Sequence, residues 1–344
     1  MVHDQWANVL FLHWRIPEHL EATLDVNTDP FAVERYDGSA WIGLILLTEE
    51  NVGPSICRSQ WTCLTHHGIN VRTYVKGGGG GGGGESKTPQ TARGIHFSSL
   101  ECDDEFTAFG ANIFGMPYKI AKMKRSYAFF KSDRETTESR EQTSDSTSSS
   151  SRCYYKIRSE RLPSCSSSFF RILFHSLNSW WPRLFRSTET KDNLSDPISK
   201  ATSNNNNILA SSLSSERFTV DCSWSRPCSD EDNNRKENIS DSKAPSEDDA
   251  VSETLPTDEP FCEWATERYF VYTHKYGKNW RGKVDHEPWP LEPITLEGLA
   301  ISGVDAYEPQ SMRPILRYMS EHRPGHVGFS RGVGPVSFTM LQPV

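Results

Sequence analysis

Ten short segments rich in β-branched and aromatic residues, each bounded by Gly, Pro, Asp or Asn, recur along the chain from NVLFLHW (8–14) to VGFSRGVGPVSFTML (327–341). Such segments build sheets, because branched and aromatic side chains pack well on a pleated surface and lose rotamer freedom in a helix. Helical spacing predicts only three short helices: PEHLEATL, DDEFTAFGANIF with Phe106, Phe109 and Ile113 on one face, and one near PFCEWATE. The expected fold is therefore mainly β with a few short helices. An antiparallel barrel, closed or nearly so, is the natural arrangement, since closure removes edges that would otherwise aggregate.

Only 35% of the 344 residues are hydrophobic, so part of the chain lies outside any core. Three stretches have the composition of insertions. GGGGGGGG (77–84), between INVRTYV and GIHFSSL, reads as a flexible hairpin tip, giving a loop over 77–90. Residues 133–152 are polar and of low complexity. The longest stretch, 162–258, carries Ser, Asn and acidic tracts that bury too little apolar surface to offset their ordering entropy, and reads as mostly disordered. Residues 1–161 and 259–344 then form one domain. Inside the long stretch, SFFRILFHSLNSWWPRLF (168–185) spaces Phe169, Leu173, Leu177, Trp180 and Leu184 as a helix would, with Arg171, Arg183 and Arg186 for charge. It is read as folding back on an apolar patch, or as docking on a membrane surface or a protein partner.

The net charge of −8 is local. Residues 229–259 hold eleven acids and three bases, and 11 minus 3 accounts for all of it. No basic block marks a nucleic-acid footprint, so no nucleic acid is expected as partner. The opening MVHDQWANVLFLHWRIP lacks a basic n-region, and His13 and Arg15 break its apolar run, which argues against a signal peptide or a spanning helix. With eight cysteines and no Cys-x-x-Cys spacing, the expectation is a soluble cytoplasmic protein with free thiols. Cys57, Cys63, His66 and His67 lack zinc-knuckle spacing, and no metal or cofactor is expected. GFSRG (328–332) fits Gly-x-Ser-x-Gly, but the GVGPVSFTML run after Ser330 and Arg331 cannot start a helix, so no nucleophile elbow forms.

LFLHWRIP, RYDGSAWIGLI, INVRTYV, GIHFSSLECD, FGMPYKIAKMK, TERYFVYTHKYGKNWRGKVDHEPWPLEP and the final FSRGV, in that order, resemble the uncharacterised YqjF-like proteins of the acetoacetate decarboxylase-like superfamily. The resemblance implies a cone-shaped antiparallel β-barrel with an internal cavity, and hands over no activity. The namesake decarboxylases carry Gly-x-Pro-Lys-Lys, whose first lysine forms an imine and whose second lowers the pKa of the first. Here the turn reads Gly115-Met116-Pro117-Tyr118-Lys119. Tyr118 stands at the imine position, where a phenol cannot form one, and Lys119 matches only the tuning lysine. Arg72 occupies the strand where the decarboxylases place an acid.

Strand alternation gives a view independent of that resemblance. In INVRTYV, Asn70, Arg72 and Tyr74 share one face, while in LFLHWR His13 and Arg15 lie opposite Leu12 and Trp14. These polar faces meet solvent or line the cavity. In the second case Arg72 offers a bidentate fork to a carboxylate and Tyr118 a hydroxyl, with a nearby guanidinium favouring the phenolate for acid–base work. Arg268 shares a face with Phe270 and Tyr272 and serves the cavity or pairs with Glu267 or Glu263; Trp289, in HEPWPLEP, caps the barrel. The reading is a small-molecule-binding barrel for a polar or carboxylate-bearing metabolite, with Tyr118 and Lys119 as candidate catalytic residues and Arg72, Asn70, His13 and Arg268 as ligand-binding residues. The alternatives are an imine-forming lyase using Lys119, and an interaction scaffold docking through 168–185.

Overall fold

The computed structural model describes residues 2–3, 5–24, 26, 31–53, 64–77, 93–113, 116–130, 152–162, 217–227, 259–275, 278–339 and 341–343. Along the chain come β1 (Val2–His3), β2 (Gln5–Arg15), α1 (Glu18–Glu21), β3 (Phe31–Val33), β4 (Trp41–Val52), β5 (Leu64–Gly77), β6 (Arg93–Cys102), α2 (Glu105–Ile113), β7 (Tyr118–Phe130) and β8 (Arg152–Arg161). Next are β9 (Thr219–Pro227), α3 (Glu259–Thr266), β10 (Phe270–Lys275), β11 (Lys278–Asp285), β12 (Thr295–Ser302), α4 (Arg313–Glu321), β13 (His326–Val333), β14 (Val336–Phe338) and β15 (Gln342–Pro343). The fold is mainly β with few helices, as the segment pattern requires.

Among the described strands the main hydrogen-bonded order is β1-β14-β11-β10-β6-β5-β4-β2-β13, while β7, β8, β9 and β12 continue as a second curtain from β6. The expected all-antiparallel pairing is corrected at two seams, because β7 and β10 both run parallel to β6. The physical reason at β7 is the connection: β6–α2–β7 is a crossover, which returns the chain to the same end of the sheet and forces a parallel pair. The order among the described strands is also open, ending at β1 and β13.

The two curtains pack face to face. Leu10, Leu12, Leu44, Leu46, Ile69 and Val71 from one side of the main sheet share a core with Ile157, Val220, Cys222 and Trp224 of the second. Ile315, Leu316 and Met319 of α4 complete it. This helix adds to the three expected, and RPILRYMSE does carry a first-turn proline and an apolar stripe at helical spacing. The opposite face of the main sheet carries Val9, Phe11, Ile45, Leu47, Phe97 and Leu100.

β9 overturns part of the reading of 162–258. Phe218, Val220, Cys222 and Trp224 alternate in a short run and are all buried, while the strand pairs with β8 on one side and β12 on the other. Four apolar residues at period two suffice for a buried strand, and the Ser- and Asn-rich sequence around them masks the pattern when composition is averaged over the whole stretch. The start of β9 is braced by Gly303: its φ is +63°, and a Cβ there would sit 2.0 Å from the Arg217 carbonyl oxygen. The expected helix at 168–185 and most of the loops at 77–90 and 133–152 lie outside the described residues.

Two smaller expectations change. Phe106 is 72% exposed, whereas Ala108 and Ala111 are buried, so α2 packs its small residues inward instead of Phe106. Cys102, Cys222 and Cys262 are free thiols, but Cys153 is disulfide-bonded. Among the described residues no helix is long and apolar enough to cross a membrane.

If β9 belongs to the fold, Trp224→Ala costs about 3–5 kcal/mol, the range for emptying a buried indole site. Urea unfolding followed by far-UV circular dichroism reads this directly; a loss under about 0.5 kcal/mol, the range of a surface change, places 217–227 outside the core.

Candidate functional site

Because β5 is flanked by β4 and β6, both of its edges are paired, and both of its faces are covered. Ile69, Val71 and Val75 turn to the second curtain, and Asn70 and Arg72 turn to a cavity of about 490 Å³. Its walls are chiefly apolar, built from Phe11, Ile45, Leu47, Phe97, Leu100 and Val271 among others. The polar side chains that reach it include Asn70, Arg72, Arg268, Glu49, Thr107 and Tyr118. The half-buried Trp6 and Trp289 stack at 5.9 Å between centroids along one wall, and the exposed Phe106 stands at the rim.

Arg72 is 8% exposed. One Nη donates to the Ala265 carbonyl at 3.2 Å, its guanidinium lies 5.7 Å from the ring centroids of both Phe11 and Tyr74, and its Nε has no hydrogen-bond partner. Among the described residues no carboxylate stands within ion-pair distance of it. The Asn70 side-chain oxygen, also buried, has no partner either. Both residues belong to the cavity and not to solvent.

Arg268 precedes β10 in a turn, so strand alternation does not govern it, and it lines the cavity together with Val271. It pairs with Glu34, not with Glu267 or Glu263, and donates to the Trp264 carbonyl at 2.5 Å while one Nη stays without a partner. Burial draws its pKa down to about 10 against the pull of Glu34.

Tyr118 enters the cavity from the start of β7; Gly115 of the same turn lies outside the described residues. Its hydroxyl donates to Glu49 Oε1 at 3.3 Å. Burial first, and then the Glu49 carboxylate, push the phenol well above its ordinary value of 10.0, so the expected phenolate is corrected: the nearest charge is an acid and the group is a neutral donor. Behind Glu49 lies His66, fully enclosed, with Nε2 3.7 Å from Glu49 Oε1, an ion contact longer than a hydrogen bond. Burial lowers the His66 pKa, but Glu49, Asp103 and Asp104 outweigh it and the net direction is upward. Glu49 is not among the residues expected from sequence, although it continues the alternation of Ile45 and Leu47 on the cavity face of β4.

The remaining two site expectations fall outside the cavity. His13 shares a strand face with Val9 and Phe11, but lies past the end of the cavity, under an aromatic plug. Its Nε2 bonds the Tyr74 hydroxyl at 2.6 Å, Phe261 stands edge-on at 5.2 Å, and burial, then the charge of Arg72, lower its pKa well below 6.5. Lys119, one residue beyond Tyr118, points to the other face of β7, where Nζ donates to the Glu308 carbonyl at 3.0 Å. Its neighbour Arg161 holds the buried Glu101 through Nε at 2.7 Å. Burial and the Arg161 charge lower the Lys119 pKa to about 8. Lys119, the amine of the imine-forming reading, is not among the described lining residues, and no other lysine is among them. Ser330, buried within β13, is no nucleophile elbow, and no group of described His, Cys, Asp and Glu residues has the arrangement of a metal site.

The described strands thus form a mainly β, two-curtain fold with buried cations beside an apolar cavity. The chain belongs to DUF2071, a family described as an uncharacterized conserved protein, whose pattern matches residues 3–175 and 185–333. No curated protein matches it. Among solved structures it is similar to an acetoacetate decarboxylase-like enzyme from Sphingomonas wittichii RW1 at 10% identity and a TM-score of 0.43, covering 100% of this chain and 92% of that one. It is also similar to acetoacetate decarboxylase from Legionella pneumophila at 8% identity and a TM-score of 0.41, covering 100% and 86%. A third is the enduracididine biosynthesis enzyme MppR complexed with pyruvate, at 9% identity and a TM-score of 0.36, covering 100% and 90%.

A lysine that titrates at about 8 is half neutral at a pH where ordinary lysines are charged, and only the neutral amine is nucleophilic. Limited acetylation with mass mapping is therefore expected to label Lys119 with an inflection near 8. The folded state holds the proton less tightly than the unfolded chain between about 8 and 10.5, so this group's contribution to stability rises with pH across that window and is lost as pH falls through 8. Lys119→Met is expected to flatten that part of the stability profile relative to the unsubstituted protein.

Proposed function

We propose that the protein binds a small carboxylate-bearing molecule in the cavity, with Arg72 as the anchor, Asn70 beside it and Arg268 adding positive potential. One observation carries this reading: the Arg72 guanidinium is buried at the wall of an apolar cavity with no carboxylate within ion-pair distance among the described residues. A cation withdrawn from water without a counter-ion costs several kcal/mol, and an anionic ligand that offers two acceptor oxygens offsets that cost. The apolar walls suit the carbon body of such a ligand. Tyr118 supports the same reading as a neutral hydroxyl donor, and with Glu49 it adds the capacity for acid–base chemistry on whatever is bound.

The test is calorimetric titration of the full chain with 3-phenylpropionate and with its uncharged amide. The acid is expected to bind and the amide to bind at least roughly ten-fold more weakly, the scale of a charge-assisted hydrogen-bond pair. Arg72→Gln is expected to remove the discrimination. Equal binding of acid and amide, or discrimination that survives in Arg72→Gln, overturns the reading.

Filling the cavity gives an independent check. A Cβ on Gly110 of α2, which lines the cavity, meets nothing within 4 Å. Gly110→Leu is expected to abolish binding of the acid while leaving the urea midpoint unchanged or raised, since Gly in a helix interior is about 1 kcal/mol worse than a good helix former.

A further inference from the structure

Asn70 sits where an apolar residue is the ordinary occupant. It is 9% exposed in the middle of β5, and its cross-strand neighbours are Ile45 on β4 and Leu100 on β6, whose side chains offer neither donor nor acceptor. Its side-chain oxygen is buried without a hydrogen-bond partner, and the residue lines the cavity. A desolvated acceptor left unpaired destabilises the fold, whereas a leucine of similar size would not. We propose that this oxygen receives a hydroxyl of the bound molecule. The ligand class is then a hydroxycarboxylic acid with an apolar body, its hydroxyl close to the carboxylate; the inference rests on the carboxylate reading of Arg72.

The strand sets that closeness. Asn70 and Arg72 are two residues apart on one face of β5, which separates their Cα atoms by about 7 Å. Next on that face comes Tyr74, whose hydroxyl bonds His13 at 2.6 Å, and neither of these lines the cavity. Opposite Arg72 on β4 stands Gly43, where a Cβ would lie 3.1 Å from the Tyr74 hydroxyl and 3.2 Å from the His13 ring. The space beyond Arg72 is therefore filled, and along β5 the cavity continues from Arg72 only toward Asn70. A molecule seated on Arg72 and lying along this strand meets the carboxamide first, and then the apolar wall of Leu47 and Leu100.

Charge selects the donor. An acceptor oxygen needs a proton from the ligand, and on a small acid that proton comes from an ammonium or a hydroxyl. Arg72 and Arg268 both line the cavity, and their guanidiniums lie 5.7 and 5.2 Å from the centroid of the Tyr74 ring. Glu34 offsets the charge of Arg268, but Arg72 has no carboxylate within ion-pair distance among the described residues, so an ammonium beside it in an apolar enclosure is repelled. Glu49, the acid among the described lining residues, lies four residues further along β4 than Ile45, about 13 Å at the rise of a strand. A ketone carries no proton and leaves the oxygen as it is. A hydroxyl supplies the proton without the charge.

The experiment titrates the full chain by calorimetry with 3-phenylpropionate and with its 2-hydroxy, 2-amino, 2-oxo and 3-hydroxy derivatives, the hydroxy acids as separate enantiomers. At least one hydroxy acid is expected to bind roughly ten-fold tighter than 3-phenylpropionate, and the amino and oxo acids no tighter than it. Asn70→Leu is expected to shrink that preference to within about two-fold, with a urea midpoint unchanged or raised because a desolvated polar group has been removed. Arg72→Gln is expected to weaken every acid in parallel with the hydroxyl preference kept. Methyl esters separate the two readings. If acids and esters bind equally while the hydroxylated ester keeps a preference that Asn70→Leu removes, the carboxylate reading falls and the hydroxyl site stands. If acids outbind esters through Arg72 but the hydroxyl adds nothing, the carboxylate reading stands and this one falls. No binding of any probe, a preference that survives in Asn70→Leu, an equal gain from the oxo acid, or a lowered urea midpoint in Asn70→Leu also overturns the proposal.

Discussion

The double burial of β5 is the constraint on which the rest of the structure depends. A strand in the middle of a sheet that is covered on both faces sends half of its side chains into a dry sheet-to-sheet core and the other half into an enclosed space. Polar residues on the second half cannot reach bulk water, so each must find a partner inside or remain available to a ligand. Tyr74 finds His13, and the neighbouring Arg268 finds Glu34. Asn70 and Arg72 keep polar atoms facing the cavity, which is why this face of the sheet, and not another, carries the binding proposal.

β7 divides two polar clusters by a single residue step. Tyr118 faces the cavity and Glu49; Lys119 faces Arg161, Glu101 and the Glu308 carbonyl. The second cluster is tied to both curtains. Arg161 at the end of β8 reaches Glu101 and Ser99 on β6, and its guanidinium lies 4.1 Å from the Tyr307 ring centroid. Breaking one side of such a buried pair leaves an uncompensated charge, so the junction of the curtains is costly to disturb at this point. The lowered pKa of Lys119 comes from the same burial and the same guanidinium, and it arises without access to the cavity.

At the inner end, the cavity stops against aromatic rings. Phe261 of α3 stacks on His326 at 3.9 Å and lies 4.5 Å from Trp41, while Trp264 meets Tyr74 at 4.5 Å. His13 is enclosed by this plug. α3 therefore does two things at once: its apolar face closes the space, and its last turn presents the Ala265 carbonyl to Arg72 and the Trp264 carbonyl to Arg268. Unpaired carbonyls at a helix C-terminus are suitable acceptors for guanidinium groups.

The mainly β class, the strand segments, and the common face of Asn70 and Arg72 were legible from the sequence, because they depend on propensity and on a period of two that any strand obeys. Tyr118 at the cavity was legible through the Gly-x-Pro turn. Two things were not: the strand β9, which was diluted by its flanks, and the role of Glu49. Glu49 reads as the polar end of an apolar run until Tyr118, 69 residues away in sequence, is brought to 3.3 Å. The sequence alone determined which residues share a face of a strand, since that is set by local backbone geometry. Only the tertiary structure decided which face encloses a cavity, where along it the cavity ends, and which acid meets which cation, because those depend on the pairing of segments distant in the chain.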